Sequence, residues 1–160
     1  MNIEILGHRD TEVAGQIHAL LVTAHAQEAG LLGVQNPAPM NETAADIQAS
    51  DEFFLGCFEN TKEGAAAGKN LIGVISVRSD DEPAQINIAR LAVSPTHQRC
   101  GVASALLASA LQRAAGAQFS VSTTAKNSPA LALYRQFSFV PYRWGTLGED
   151  GLDLVKLRRV

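Results

Sequence analysis

Between Ile86 and Ala115 the chain places an apolar strand, a glycine-bearing turn and an Ala/Leu-rich helix in direct succession. The turn reads Gln98-Arg99-Cys100-Gly101-Val102-Ala103. A strand that feeds such a turn at a helix start makes an anion site. Successive backbone N–H groups point outward there, and the helix dipole favours negative charge. Two familiar phosphate loops are absent: no Lys follows Gly101 into the helix, and no G-x-G-x-x-G occurs. Farther along, Asn127-Ser128-Pro129-Ala130-Leu131-Ala132-Leu133-Tyr134 carries a phenol on a second helix. With an unperturbed pKa near ~10, a phenol is protonated at neutral pH and can donate to a developing anion.

The turn has the form [QR]-x-x-G-x-[GA]. The octapeptide has the form N-x-x-A-x-x-x-Y and is followed by Phe139. With this spacing and order the chain resembles the GCN5-related N-acetyltransferases, closely over its C-terminal half and by element order elsewhere. The resemblance implies an α/β (α+β) fold with a mixed central sheet of six to seven strands and about four helices. Two parallel strands, Ile86–Val93 and Phe119–Thr124, would splay apart to accept a pantetheine arm. It implies acetyl-CoA as cosubstrate, no metal, and direct attack of a small-molecule or peptide amine on the thioester. Gln98, Arg99, Cys100, Gly101, Val102, Ala103 and Ser104 are then expected at the pyrophosphate. Backbone groups of Leu91, Ala92 and Val93 would pair with the pantetheine, one N–H facing the thioester oxygen. Asn127, Ala130 and Leu133 would line the cofactor, and Tyr134 would protonate the departing thiolate. The sequence departs from the family twice. Asn87 stands where many members carry a Glu, with no carboxylate between Gln85 and Val93, and Ser138 stands where a Gly is usual. An amide cannot take up the amine proton, so a non-catalytic acyl-CoA-binding module is the alternative reading.

Around these residues the elements follow from periodicity. Asn2–Leu6 alternates weakly as a strand. Asp10 is placed to cap a helix carrying Val13, Ile17, Leu20, Leu21 and Ala24, with Gly30 as its stop. Leu31–Met40, with one Gly and two Pro, reads as loop, and Asn41 as the cap of a short helix through Ala49. Glu52–Phe58 and Leu71–Val77 read as buried strands joined through Glu59–Asn70, and Arg78–Gln85 as a polar turn. The helix after the phosphate turn should run from Val102 to Ala115, with Gly116 beyond it in the left-handed region. Strand, helix, strand implies a parallel pair with a right-handed crossover. Two further strands, near Phe139–Thr146 and Leu152–Arg158, close the chain.

A length of 160 residues supports one domain over 1–160 with a real core. No apolar run approaches the ~20 residues that span a bilayer, and Met1–Ile5 lacks a basic start and a long apolar stretch. Only Cys57 and Cys100 occur, which fits free thiols and a cytoplasmic setting. The net charge of −3 hides an asymmetry. Residues 1–84 hold 4 Lys/Arg against 13 Asp/Glu, whereas residues 85–160 hold 9 against 3. Such halves could attract coenzyme A and a cationic amine, or could be solvated faces of uneven charge. The basic residues are too scattered for nucleic acid. Glu59 is a candidate base near a strand end, and no spacing of histidines and cysteines signals a metal. Exposed edge strands near the C-terminus would permit a homodimer.

Overall fold

In the strands of this chain apolar residues occupy successive positions, so both faces of the sheet must be covered. The computed structural model describes residues 2–32, 42–59, 70–147 and 152–160. It contains seven strands, β1 (Asn2–Ile5), β2 (Phe53–Phe58), β3 (Leu71–Ser79), β4 (Gln85–Val93), β5 (Gln118–Thr124), β6 (Phe139–Leu147) and β7 (Leu152–Arg159). Four α-helices accompany them: α1 (Thr11–Leu32), α2 (Ala44–Gln48), α3 (Val102–Arg113) and α4 (Ser128–Gln136). The strands form one sheet in the order β1-β2-β3-β4-β5-β7-β6, with β4 and β5 parallel and every other neighbouring pair antiparallel.

Strand alternation splits the core in two. Leu55, Ile75, Ile88, Val93, Phe119, Val121 and Leu157 pack with α3 residues Val102, Leu106, Leu107 and Ala110 and with Tyr134 of α4. Their neighbours Phe54, Val74 and Ala92 face the other way, onto Ala14, Ile17, Leu20 and Leu21 of α1 and Ile47 of α2. Gly73 sets the height of α3 above the sheet. A Cβ there would lie 2.6 Å from Val102 Cγ1, so only a bare α-carbon lets the first turn of α3 rest on β3.

The turn before α3 and the parallel strands fall where the sequence puts them, and some boundaries move. Asp10 caps α1 as expected, its Oδ1 accepting from the N–H groups of Glu12 and Val13. The helix does not stop at Gly30 but continues to Leu32, since a single Gly costs a helix only about 1 kcal/mol. The cap of α2 is Thr43 rather than Asn41. Thr43 Oγ1 accepts from Asp46 N while the Asp46 side chain accepts from Thr43 N, a reciprocal pair that Asn41 cannot form at that spacing. Asn41 itself, most of the Leu31–Met40 loop and residues 60–69 lie outside the described residues. The polar turn after β3 is shorter than its sequence suggests, because Arg78 and Ser79 pair with Asn87 and Ile86. Helix α3 ends at Arg113, two residues early. No described helix is long and apolar enough to cross a membrane.

Ser138 is left-handed, with φ 70°, and closes α4 through Ser138 N to Arg135 O. That backbone suits glycine, and an L side chain there costs about 1–2 kcal/mol. Ser138→Gly should relieve more strain than the added freedom of the unfolded chain takes back, about 0.4–1 kcal/mol. A net gain of about 0.5–1 kcal/mol, or about 2 °C in Tm by thermal unfolding, is expected.

Candidate active site

The site begins at a break in the sheet. Antiparallel pairing of β3 with β4 matches Val77 with Ile88 and Ser76 with Arg90, leaving Ala89 as an extra residue. A one-residue bulge bends a strand and ends regular pairing beside it. On the other edge of β4, pairing with β5 runs from Gln85–Gln118 to Ile88–Val121 and then stops. Ala89–Val93 therefore have no strand partner on the β5 side. Leu91, Ala92 and Val93 remain tied to β3 by their opposite edge, through Ile75, Val74 and Gly73. Past Val121, the β5 residues Ser122, Thr123 and Thr124 are held only by β7. A cleft between two otherwise rigid parallel strands results.

The end of β4 leads through a one-turn 3-10 helix, Pro95–His97, into the turn before α3. Arg99 and Gly101 are both left-handed, at φ 62° and 80°. The first helical bond runs from Ala105 N to Gly101 O, and no side chain caps the helix start. No acidic residue occupies the first turn of α3. The N–H groups of Val102, Ala103 and Ser104 are thus left for an anion, at the positive end of the helix dipole. A Cβ on Gly101 would meet no protein atom, so its backbone conformation and the space in front of it, not packing, call for glycine. The Gln98 side chain exchanges amide hydrogen bonds with Gln27 of α1, 2.6 and 3.2 Å, and anchors the turn from outside. Cys100 is exposed with a free thiol, whereas Cys57 is buried, and burial raises its pKa.

Across the cleft, Asn127 caps α4, its Oδ1 accepting from Ala130 N at 3.3 Å. Ala130 and Leu133 are half-buried against the core beneath α3 and α4. Tyr134 is buried, its ring edge-on to Phe139 at 5.6 Å. Phosphate turn, cleft and Asn/Tyr helix thus surround one end of the sheet. The Thr124 hydroxyl, at the end of β5, is buried with no hydrogen-bond partner among the described residues. The polar alternation Ser120, Ser122, Thr124 was the available signal for it.

The face of the sheet turned away from α3 and α4 is polar in its middle. Asn87 Nδ2 donates to Ser120 Oγ at 3.2 Å, and Ser120 donates to Asp80. Lys156 on β7 donates to the other Asp80 oxygen at 2.9 Å and lies 3.6 Å from Glu82. Burial works against the Asp80 charge, but Ser120 and Lys156 overcome it and lower its pKa. A cavity of about 200 Å³ opens here, lined by Asp80, Asn87, Ile88, Ala89, Ser122 and Lys156 among others. A larger apolar cavity of about 370 Å³ lies under the last turn of α3, away from the phosphate turn.

On the same face but toward α1, Arg90 is clamped by two carboxylates. Its Nε donates to Glu52 at 2.8 Å and its terminal nitrogens to both oxygens of Glu42. Ser76 and Ser50 also donate to Glu52, at 2.6 and 2.7 Å. Burial alone would raise the Glu52 pKa, yet these donors push it down to about 2. His25 stands beside this cluster with its Nδ1 buried. Burial first and Arg90 second lower its pKa. Glu59, the candidate base, instead pairs with His97 at 3.1 Å and with Asn70, and it does not line the polar cavity.

Residues 17–139 match the model of the acetyltransferase (GNAT) family. The chain belongs to this family. It is 34% identical over 138 residues to UPF0157 protein YqkA from Bacillus subtilis (strain 168), which covers 86% of this chain. The chain spans only 37% of that relative's length. Among solved structures, the ribosomal-protein-S18-alanine N-acetyltransferase from Escherichia coli superposes with a TM-score of 0.68 at 19% identity, over 99% of this chain and 92% of its own. The PaiA N-acetyltransferase from Thermoplasma acidophilum, crystallised with coenzyme A, gives 0.67 at 15% identity over 98% of both chains. At such identities the likeness establishes the GNAT fold: a seven-stranded mixed sheet, four helices and parallel β4 and β5.

The Glu52 carboxylate contributes stability only while ionised. Its folded pKa lies below the ordinary 4.5, so that contribution is complete above pH 4.5 and is lost as pH falls toward 2. Glu52→Gln should lower the unfolding free energy at pH 7 by about 2 kcal/mol. It should also flatten the fall in urea midpoint across that acidic window.

Proposed function

We propose that this chain transfers an acetyl group from acetyl-CoA to a primary amine by direct attack on the thioester. The single observation that carries the reading is the end of β4–β5 pairing at Ile88 and Val121, beside an uncapped, left-handed turn at the start of α3. The turn offers N–H groups to a diphosphate. The unpaired edge of Ala89–Val93 offers hydrogen bonds to an extended amide-bearing arm, just as a missing strand would. Coenzyme A is such a molecule, and the family to which the chain belongs supports the assignment.

In this reading the thioester lies in the cleft with its oxygen on an N–H of the Leu91–Val93 segment. A preorganised donor aimed at the developing oxyanion is worth about 10²–10³ in rate. The amine nitrogen attacks the carbonyl carbon, the C–N bond forms, and the C–S bond breaks. Tyr134 gives its phenolic proton to the departing thiolate, and the proton that the nitrogen sheds on becoming an amide returns to the phenolate through water. The ammonium proton must leave before attack, and Asn87 cannot take it. The open polar cavity beside Ala89 and Ser122 lets water carry it away. Asp80, whose pKa is lowered, is ionised and orients an ammonium better than it deprotonates one.

A thiol-release assay with acetyl-CoA and an amine panel tests the activity against a purely acyl-CoA-binding module, which would bind and release nothing. Tyr134→Phe should keep coenzyme A affinity by calorimetry and lose about 10²-fold or more in kcat; undiminished turnover removes the phenol from the reaction. Gly101→Leu should fold, because a Cβ at Gly101 meets no protein atom within 4 Å, yet raise the acetyl-CoA KM by about tenfold or more through a backbone unable to hold φ 80° cheaply.

A further inference from the structure

We infer that the amine acceptor is a small zwitterion, an amino acid or a close analogue, whose carboxylate is held by Arg78. The inference rests on the acetyltransfer reading and concerns the cavity at the fork of β4 and β5. Asn87 and Ile88 are in the last paired stretch of β4, Ala89 is the bulge, and Ser122 lies just past the last β5 residue paired with β4. The cavity therefore opens into the place where the two strands part. A nucleophile seated in it would approach a thioester in the cleft from the side opposite α3.

The size and the charges of the cavity restrict what fits. Its volume of about 200 Å³ falls below the roughly 300–1,000 Å³ of ordinary drug-sized sites. An acceptor the size of an amino acid matches it. Four charged side chains line it: Arg78, Asp80 and Asp81 around the β3–β4 turn, and Lys156 on β7. Asp80 and Lys156 satisfy each other at 2.9 Å. The side chains of Arg78 and Asp81 make no hydrogen bond or ion pair with any described residue, and they do not pair with one another. The cavity thus presents one spare cation and one spare anion. A guanidinium suits a planar carboxylate, which it can bind through two parallel hydrogen bonds. Asp81, with Asp80 behind it, suits an ammonium.

The same arrangement disfavours a polycation. The acidic excess of residues 1–84 does not favour one, because Glu42 and Glu52 are taken up by Arg90, Asp80 by Lys156, and Glu82 by Arg143 and Lys156. What remains at the cavity is balanced, and Arg78 and Lys156 would repel a second positive charge.

The experiment compares three acceptor types in the thiol-release assay: free amino acids, their carboxamides, and aliphatic diamines. Calorimetry on the coenzyme A-loaded protein is run alongside. The expected result is a kcat/KM for the acids about tenfold or more above that for the matching carboxamides, with the same order in binding. Arg78→Gln, an exposed position, should bring the acid-to-carboxamide ratio close to one, and Arg78→Lys should restore part of it. A preference for carboxamides or diamines, or a ratio that Arg78→Gln leaves unchanged, overturns the inference while acetyl transfer stands. Carboxylate-dependent binding without thiol release overturns acetyl transfer and retains the subsite. Neither binding nor release with any of the three overturns both.

Discussion

The proposed site of this molecule depends on a strand pair that is allowed to separate. Parallel strands normally pair along their whole length, since an unmet backbone N–H or C=O in a protein interior is costly. Here β4 carries one residue too many, Ala89, relative to β3, and its pairing with β5 ends at the residue before. The bent strand stays anchored because its other edge is tied to β3 as far as Val93. β5 stays in place because β7 continues the sheet through Thr124 and Leu154. Each wall of the cleft thus has its own support, and the gap does not need a ligand to stay open.

Two packing devices hold the anion turn at the mouth of that cleft. Gly73 lets the first turn of α3 descend onto β3, so the helix start cannot drift from the strand that precedes it. From the opposite face, Gln27 near the end of α1 grips the Gln98 side chain. The turn is therefore braced by both layers of helix while its own N–H groups are kept out of the fold's hydrogen bonding.

The two faces of the sheet differ in purpose. One is apolar throughout and carries α3 and α4. The other is apolar only under α1 and α2. It becomes polar where Arg90, Asn87, Ser120, Ser122 and Lys156 come together. Burying Arg90 is tolerable because Glu42 and Glu52 both meet it, and Ser76 and Ser50 satisfy the remaining carboxylate positions. This cluster also joins Glu42, just ahead of α2, to the middle of β4. The segment that enters α2 is thereby tied to the strand that forms one wall of the cleft.

The local elements were determined by the sequence itself. The strand–turn–helix of Ile86–Arg113, the parallel partner Phe119–Thr124 and the Asn127-capped helix are written in short-range periodicity and capping chemistry, which act within a few residues. Ser138 stands where the family usually has Gly, which pointed either to a left-handed position or to a different turn, and the structure takes the left-handed one. The charge asymmetry was also visible, but its meaning was not. Opposite charges from the two halves meet across the sheet as Arg90–Glu42, Arg90–Glu52 and Lys156–Asp80, pairs separated by between 38 and 76 residues in sequence. Only tertiary structure could bring them together, as it alone decided that His25 lies beside Arg90 and that Glu59 turns to His97. The bulge at Ala89 was hidden for the same reason: an extra residue exists only relative to a partner strand, and register is a property of two strands at once.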